Sequence, residues 1–172
     1  TAEMEEGAWN WVASRYPEEI LHAKIFRLWL EHGENPKDES YEYILVPNAS
    51  RAKMIKLENR QPFQIQNKTN RQEVISASGD LAGLVFYEPG KSNAFGGVEV
   101  NQPCVLMLKK QANGMQLSVA DPTQLLNEIE VVLNGHFSGN SAKIKNGKTT
   151  VNVPLPQKGE AGNTGTLNLN KK

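Results

Sequence analysis

Residues 104–120 read Cys-Val-Leu-Met-Leu-Lys-Lys-Gln-Ala-Asn-Gly-Met-Gln-Leu-Ser-Val-Ala. Two runs with strand character, 104–110 and 115–120, flank Asn113-Gly114. Asn-Gly is the strongest two-residue hairpin signal, because both turn positions accept positive φ. The stretch predicts an antiparallel hairpin, and the same pattern extends outward. From about Gln61 onward, short apolar runs alternate with turns: Ser78-Gly79-Asp80, Glu88-Pro89-Gly90-Lys91, Phe95-Gly96-Gly97, Asn101-Gln102-Pro103, Asn134-Gly135 and Asn146-Gly147. Runs recurring every 8–12 residues or so between such turns are the pattern of an all-β antiparallel sandwich or barrel. Further strands are expected at 41–46, 73–77, 81–87, 98–100, 129–133, 142–145 and 149–153, with 159–172 as a last edge strand.

The beginning of the chain has a different character. Trp9, Trp11, Tyr16, Phe26, Trp29, Tyr41 and Tyr43 all lie before position 44. Between Glu18 and Glu31 the apolar residues satisfy a helical period and a strand alternation equally well, so periodicity does not decide that segment. A length of 172 residues is room for one ordinary domain or two small ones. A domain of that size closes a core without disulfide or metal. Nineteen basic residues balance nineteen acidic ones, which argues against a nucleic-acid partner. The apolar runs are only about five residues long, far below the ~20 that a membrane-spanning helix requires.

Three stretches resemble polysaccharide lyase family eight, which holds chondroitin AC, hyaluronate and xanthan lyases. The first is Gly7-Ala8-Trp9 leading to Leu28-Trp29-Leu30-Glu31-His32-Gly33-Glu34-Asn35-Pro36 and then Tyr41-Glu42-Tyr43-Ile44-Leu45-Val46-Pro47. The second, Gln61-Pro62-Phe63-Gln64-Ile65-Gln66, is similar to the junction into that family's C-terminal β-domain. The third, Met115-Gln116-Leu117-Ser118-Val119-Ala120-Asp121-Pro122-Thr123-Gln124, is similar to a hairpin of that domain.

The resemblance implies that residues 1–58 are the last strands of a central β-sandwich, with 25–30 among them. Residues 59–172 would be a C-terminal antiparallel sandwich, and Thr1 an internal boundary of a longer protein. Upstream would lie an α/α toroid and the rest of the central sandwich, carrying the catalytic groups. The complete enzyme would be a secreted or periplasmic bacterial lyase acting on an acidic polysaccharide, chondroitin or hyaluronan, by β-elimination. This part of it would be structural. No cofactor, metal, nucleic acid or membrane is expected as a partner.

Elimination from a uronate needs a base near the C5 proton, a group to neutralise the carboxylate and an acid for the leaving oxygen. His32, Glu34, Tyr41 and Tyr43 are the one close cluster of such types. His32 reads better as a turn residue whose ring bonds nearby backbone, with Gly33 supplying an unusual backbone angle. Trp9 and Trp11 are the candidate carbohydrate contacts: in an extended segment both rings point to one side. The competing reading has them plug the sandwich core or the interface with the toroid, and Trp29 reads as core. A self-contained carbohydrate-binding module is the alternative function, supported if those rings are exposed. Cys104 reads as a buried small hydrophobe, Asp121-Pro122-Thr123 as a turn held by the aspartate side chain, and His22 and His136 as isolated.

Overall fold

A computed structural model describes residues 2–172; Thr1, the expected boundary, lies outside the described residues. The chain forms two compact units, one reaching Tyr43 and the other spanning Ile44–Lys172.

The first unit is built on a ribbon of β1 (Ala2–Gly7) and β2 (Leu21–Phe26), paired antiparallel from Ala2↔Phe26 to Gly7↔Leu21. Trp9–Trp11 forms a single 3₁₀ turn between them. The ambiguous segment is a strand, but it ends at Phe26 instead of covering 25–30. Residues 41–46 form no strand, and Trp29 is 65% exposed instead of buried. Both differences have one cause. A strand needs a paired neighbour and a ring needs a covering layer, and a two-stranded ribbon supplies neither beyond its own ladder.

The second unit opens with α1 (Arg51–Arg60), a helix the hydrophobic pattern does not announce because none of its residues is buried. Its signal is at the ends: Ser50 accepts from the Lys53 N–H at 3.2 Å, and Gln61 closes the helix in the left-handed conformation. The helix runs across position 58.

Twelve strands follow: β3 (Phe63–Lys68), β4 (Arg71–Ser76), β5 (Leu81–Phe86), β6 (Gly90–Ser92), β7 (Val98–Val100), β8 (Cys104–Gln111), β9 (Gly114–Ala120), β10 (Glu128–Asn134), β11 (Phe137–Ser138), β12 (Lys143–Lys145), β13 (Lys148–Pro154) and β14 (Gly165–Lys171). They form a seven-stranded sheet, β11-β14-β9-β8-β5-β4-β3, and a five-stranded sheet, β12-β13-β10-β7-β6. All pairings are antiparallel. Alternation sends Ala82, Leu84 and Phe86, Cys104, Leu106 and Leu108, and Leu117 and Val119 inward from the larger sheet. Ile129, Val131, Leu133, Val151 and Val153 come inward from the smaller one, and all belong to a single buried cluster. Burying each such side chain contributes roughly 1.5–3 kcal/mol. The unit is an antiparallel β-sandwich. Its last strand, β14, is an edge only in part, since β11 pairs with Asn170 and Lys171.

The three Asn-Gly pairs do three different things. Asn146 and Gly147 (φ 51° and 76°) form the two-residue turn between Lys145 and Lys148, with the positive angles of a type I′ hairpin. Gly135 (φ 104°) turns the chain out of β10. In the 104–120 hairpin, Gln111 pairs with Gly114, so the turn residues are Ala112 and Asn113, neither with positive φ. Gly114 is required for a different reason: β14 crosses so close that a Cβ would overlap the Leu169 carbonyl oxygen.

Between β9 and β10 the chain changes sheets, and Asp121, 2% exposed, holds that corner. Its Oδ1 accepts from the Thr123 N–H (2.8 Å) and hydroxyl (2.7 Å), and its Oδ2 from the Leu125 and Leu126 N–H groups (both 2.9 Å). Burial alone would raise the carboxyl pKa; the hydrogen bonds from the Thr123 hydroxyl and from the Leu126, Thr123 and Leu125 amides outweigh it and hold it below the usual range. A second polar tie crosses the layers: buried Glu73 of β4 pairs with Arg71 and accepts from the Ser92 hydroxyl of β6 at 2.6 Å.

Three outcomes follow from this architecture. Gly114→Val should destabilise the chain by about 1–3 kcal/mol through steric overlap with β14, measured by urea unfolding. Asp121→Asn should cost about 1–3 kcal/mol at neutral pH, because an amide cannot accept all four hydrogen bonds. With a depressed folded-state pKa, the aspartate contribution is complete above about pH 4, the unfolded value, and is lost as pH falls through the folded value. The melting-temperature gap between wild type and Asp121→Asn should therefore narrow on acidification. Hydrogen exchange should be faster in β1 and β2 than in β5, β8 and β9, because a two-stranded ribbon opens at little cost; uniform protection in a monomeric chain would contradict this.

Candidate functional site

The first unit carries the residues on which a site could be built. Trp9 and Trp11 are 60% and 65% exposed, so the core reading does not hold for them in this unit. They are not presented by an extended segment either. In a 3₁₀ turn, residues two apart are rotated by roughly 240° about the axis, so the same-side argument fails. The two rings nevertheless both line a hollow of about 360 Å³, with Glu5, Glu6, Leu21 and Ile25. Tyr16 tilts against Trp9 with ring centres 6.4 Å apart, and the Arg15 guanidinium lies 5.1 Å over the Tyr16 ring. The result is an aromatic surface with Arg15 beside it and a wall that bears Glu6 and the Glu5–Arg27 ion pair.

The acid–base cluster is assembled differently from its expectation. Gly33 (φ 75°), Asn35 (φ 52°) and Asp38 (φ 56°) bend the backbone through three left-handed positions, residue types that tolerate them. The bend returns Glu39 to His32, whose Nδ1 stands 3.8 Å from Oε2. The carboxylate beside the ring is thus Glu39, and not Glu34. The His32 ring lies 6.1 Å from Tyr41, and Tyr41 and Tyr43 stack at 6.2 Å with an interplanar angle of 12°. Only the density of Gly, Asn and Asp between His32 and Glu39 marks the bend in advance. A histidine beside a carboxylate and a phenol holds the group types for proton transfer. With the His32 side chain 27% and Glu39 55% exposed, the pair is largely solvated.

The second unit holds the remaining candidates. Cys104 is 1% exposed, and burial, helped by the Asp121 charge, pushes its thiol up to about 12. It is a core residue and no nucleophile at neutral pH. His136 closes a turn, its carbonyl accepting from the Lys172 N–H at 3.0 Å, while His22 sits in β2 opposite Glu6. Among the described residues no group of three or more His, Cys, Asp or Glu is placed to hold a metal ion.

Comparison with known proteins adds the family. The super-sandwich domain of polysaccharide lyase family 8 matches residues 1–58, and the C-terminal β-sandwich domain of the same family matches residues 65–130. Chondroitinase-AC of Pedobacter heparinus is 29% identical over 168 residues, 95% of this chain and 23% of that protein. Hyaluronate lyase of Thermasporomyces composti is 28% identical over 134 residues, 77% of this chain and 17% of that protein. The chain thus spans about a quarter or less of the length of the relatives it matches. The fold of Streptomyces coelicolor A3 chondroitin AC lyase, solved in complex with chondroitin sulphate, superposes over 100% of this chain and 24% of its own, with a TM-score of 0.75 and 20% identity. Paenibacillus xanthan lyase covers 99% of this chain with 17% of its own, at a TM-score of 0.75 and 22% identity. Two domains of one enzyme family thus follow each other along this sequence in separate matches, and the chain belongs to polysaccharide lyase family 8.

Proposed function

We propose that this chain is the C-terminal β part of a glycosaminoglycan lyase that cleaves a uronate-containing polysaccharide, chondroitin or hyaluronan, by β-elimination, and that this part is structural. The observation that carries the reading is the pair of family matches in sequence, super-sandwich before C-terminal sandwich. In it, residues 1–58 complete a central sandwich and residues 59–172 form the C-terminal one. The parent enzyme works outside the bacterial cytoplasm, secreted or periplasmic, where such polymers are met. The His32–Glu39 pair stands open to solvent, and a general base acts only within hydrogen-bond reach of the proton it abstracts from a positioned substrate.

A second reading rests on the exposure of Trp9 and Trp11. Indole faces stack on the C–H faces of sugars, so the hollow they line suits a carbohydrate-binding module. With Glu5 paired to Arg27, Glu6 is the wall carboxylate that makes a neutral sugar the better occupant than a polyanion.

Incubated with chondroitin or hyaluronan, the pure chain should form no unsaturated product, followed by the ultraviolet absorbance of the new conjugated double bond. Sustained product would overturn the structural reading. Saturable quenching of tryptophan fluorescence by a neutral oligosaccharide, lost in Trp9→Ala and Trp11→Ala, would establish the binding module instead.

A further inference from the structure

A net charge of zero conceals a strong asymmetry in the second unit. One end of the sandwich is closed by the turns at Gly79 and Asp80, at Ala112 and Asn113, at Gly135 and His136, and at Asn146 and Gly147. Backbone hydrogen bonds tie these turns together: Lys110 N–H to Asp80 at 2.7 Å, Lys171 N–H to Asn113 at 2.8 Å, Lys172 N–H to His136 at 3.0 Å, and Gly135 N–H to Gly147 at 2.8 Å. Lys110, Lys145, Lys148, Lys171 and Lys172 flank them, and none forms a salt bridge among the described residues. Asp80, a carboxylate among these turns, accepts from the Ser76 hydroxyl at 2.6 Å and from that of Ser78, and its charge also acts on Lys110. Glu88, Asp121 and Glu128 lie at the opposite strand ends.

The concentration runs against stability. Lys145 and Lys148 stand directly opposite each other across the β12–β13 ladder, where like charges destabilise a sheet. The same end is concave. A hollow of about 690 Å³ opens there, lined by Lys110, Lys171 and Lys172, by the Asn113 turn, and by Phe95 and Phe137. That volume lies within the roughly 300–1,000 Å³ of ligand pockets. Phe95 is held at φ 54°, ψ 31°, a left-handed conformation costly for a bulky residue, and such strain gathers at ligand sites.

We infer that this hollow is a second binding site for acidic polysaccharide, in which the three lysines take the carboxylate or sulfate groups and the two phenylalanines form an apolar floor for the sugar ring. The choice of polysaccharide rests on the proposed function; the charge, the hollow and the strained Phe95 do not.

The test measures binding of chondroitin sulfate oligosaccharides to the whole chain by calorimetry at low salt. The triple variant Lys110→Gln, Lys171→Gln, Lys172→Gln should weaken binding by at least about tenfold, with an unchanged melting temperature. A control with the same charge change elsewhere in the unit, Lys53→Gln, Lys68→Gln, Lys158→Gln, should stay within about twofold. Equal losses in both variants, no loss, no binding by the wild type, or tighter binding of single-stranded DNA would each overturn the site. Failure of the proposed structural role is read separately: sustained unsaturated product in the absorbance assay overturns that role and leaves the binding comparison of the lysine variants unaffected.

Discussion

Asp121 sits where the chain leaves one sheet for the other, and the sandwich depends on that corner. β9 is a central member of the seven-stranded sheet and β10 of the five-stranded one, so the apolar faces of both meet only if the connection between them turns the same way in every molecule. The connection contains Pro122, exposes Leu125, and has no ladder of its own to satisfy its amides. A buried carboxylate accepting from Thr123, Leu125 and Leu126 takes their place. A neutral side chain would leave part of that amide cluster unsatisfied in a nearly dry corner.

The Arg71–Glu73–Ser92 group does the corresponding work between the layers. Glu73 points into the sandwich from β4 and meets Arg71 along its own strand and Ser92 from the opposite sheet, while Ser92 accepts from the Ala94 N–H at 3.0 Å. Arg71 also reaches the Lys91 carbonyl and lies 5.7 Å over the Phe86 ring. A buried ion pair is a weak source of net stability against an apolar core, but removing one partner strands the other at a cost of about 3–5 kcal/mol. It links β4 to β6 through the Glu73–Ser92 hydrogen bond.

These two devices explain which parts of the fold are legible in the sequence. Alternation is a local property, so Leu81–Phe86, Val98–Val100, Cys104–Gln111, Glu128–Asn134 and Lys148–Pro154 fall within a residue or two of their expected positions. β3, with Phe63 and Ile65 as its two apolar residues and neither of them buried, gives only a short signal, and the exposed helix α1 gives none. The first unit resists for another reason. Its aromatic residues are those of a buried layer, and the pattern reads accordingly, yet burial requires neighbours that a two-stranded ribbon does not contain. Glu39 is the clearest case at the candidate site, because its approach to His32 depends on three left-handed backbone positions and not on any spacing rule.

The basic end follows from the same physics that makes the sandwich readable. Along each strand every second side chain is committed to the core, so the outward positions carry charges in isolation, mixed in sign by their neighbours across the ladder. Turns are free of that commitment, and a sandwich gathers its turns at two ends. A concentration of one sign can therefore arise only there, and composition averaged over the chain erases it. The Lys145–Lys148 opposition shows that the concentration persists against local repulsion. A hollow and a strained aromatic residue at the same end then make a ligand, and not solubility, the feature that lysine placement serves.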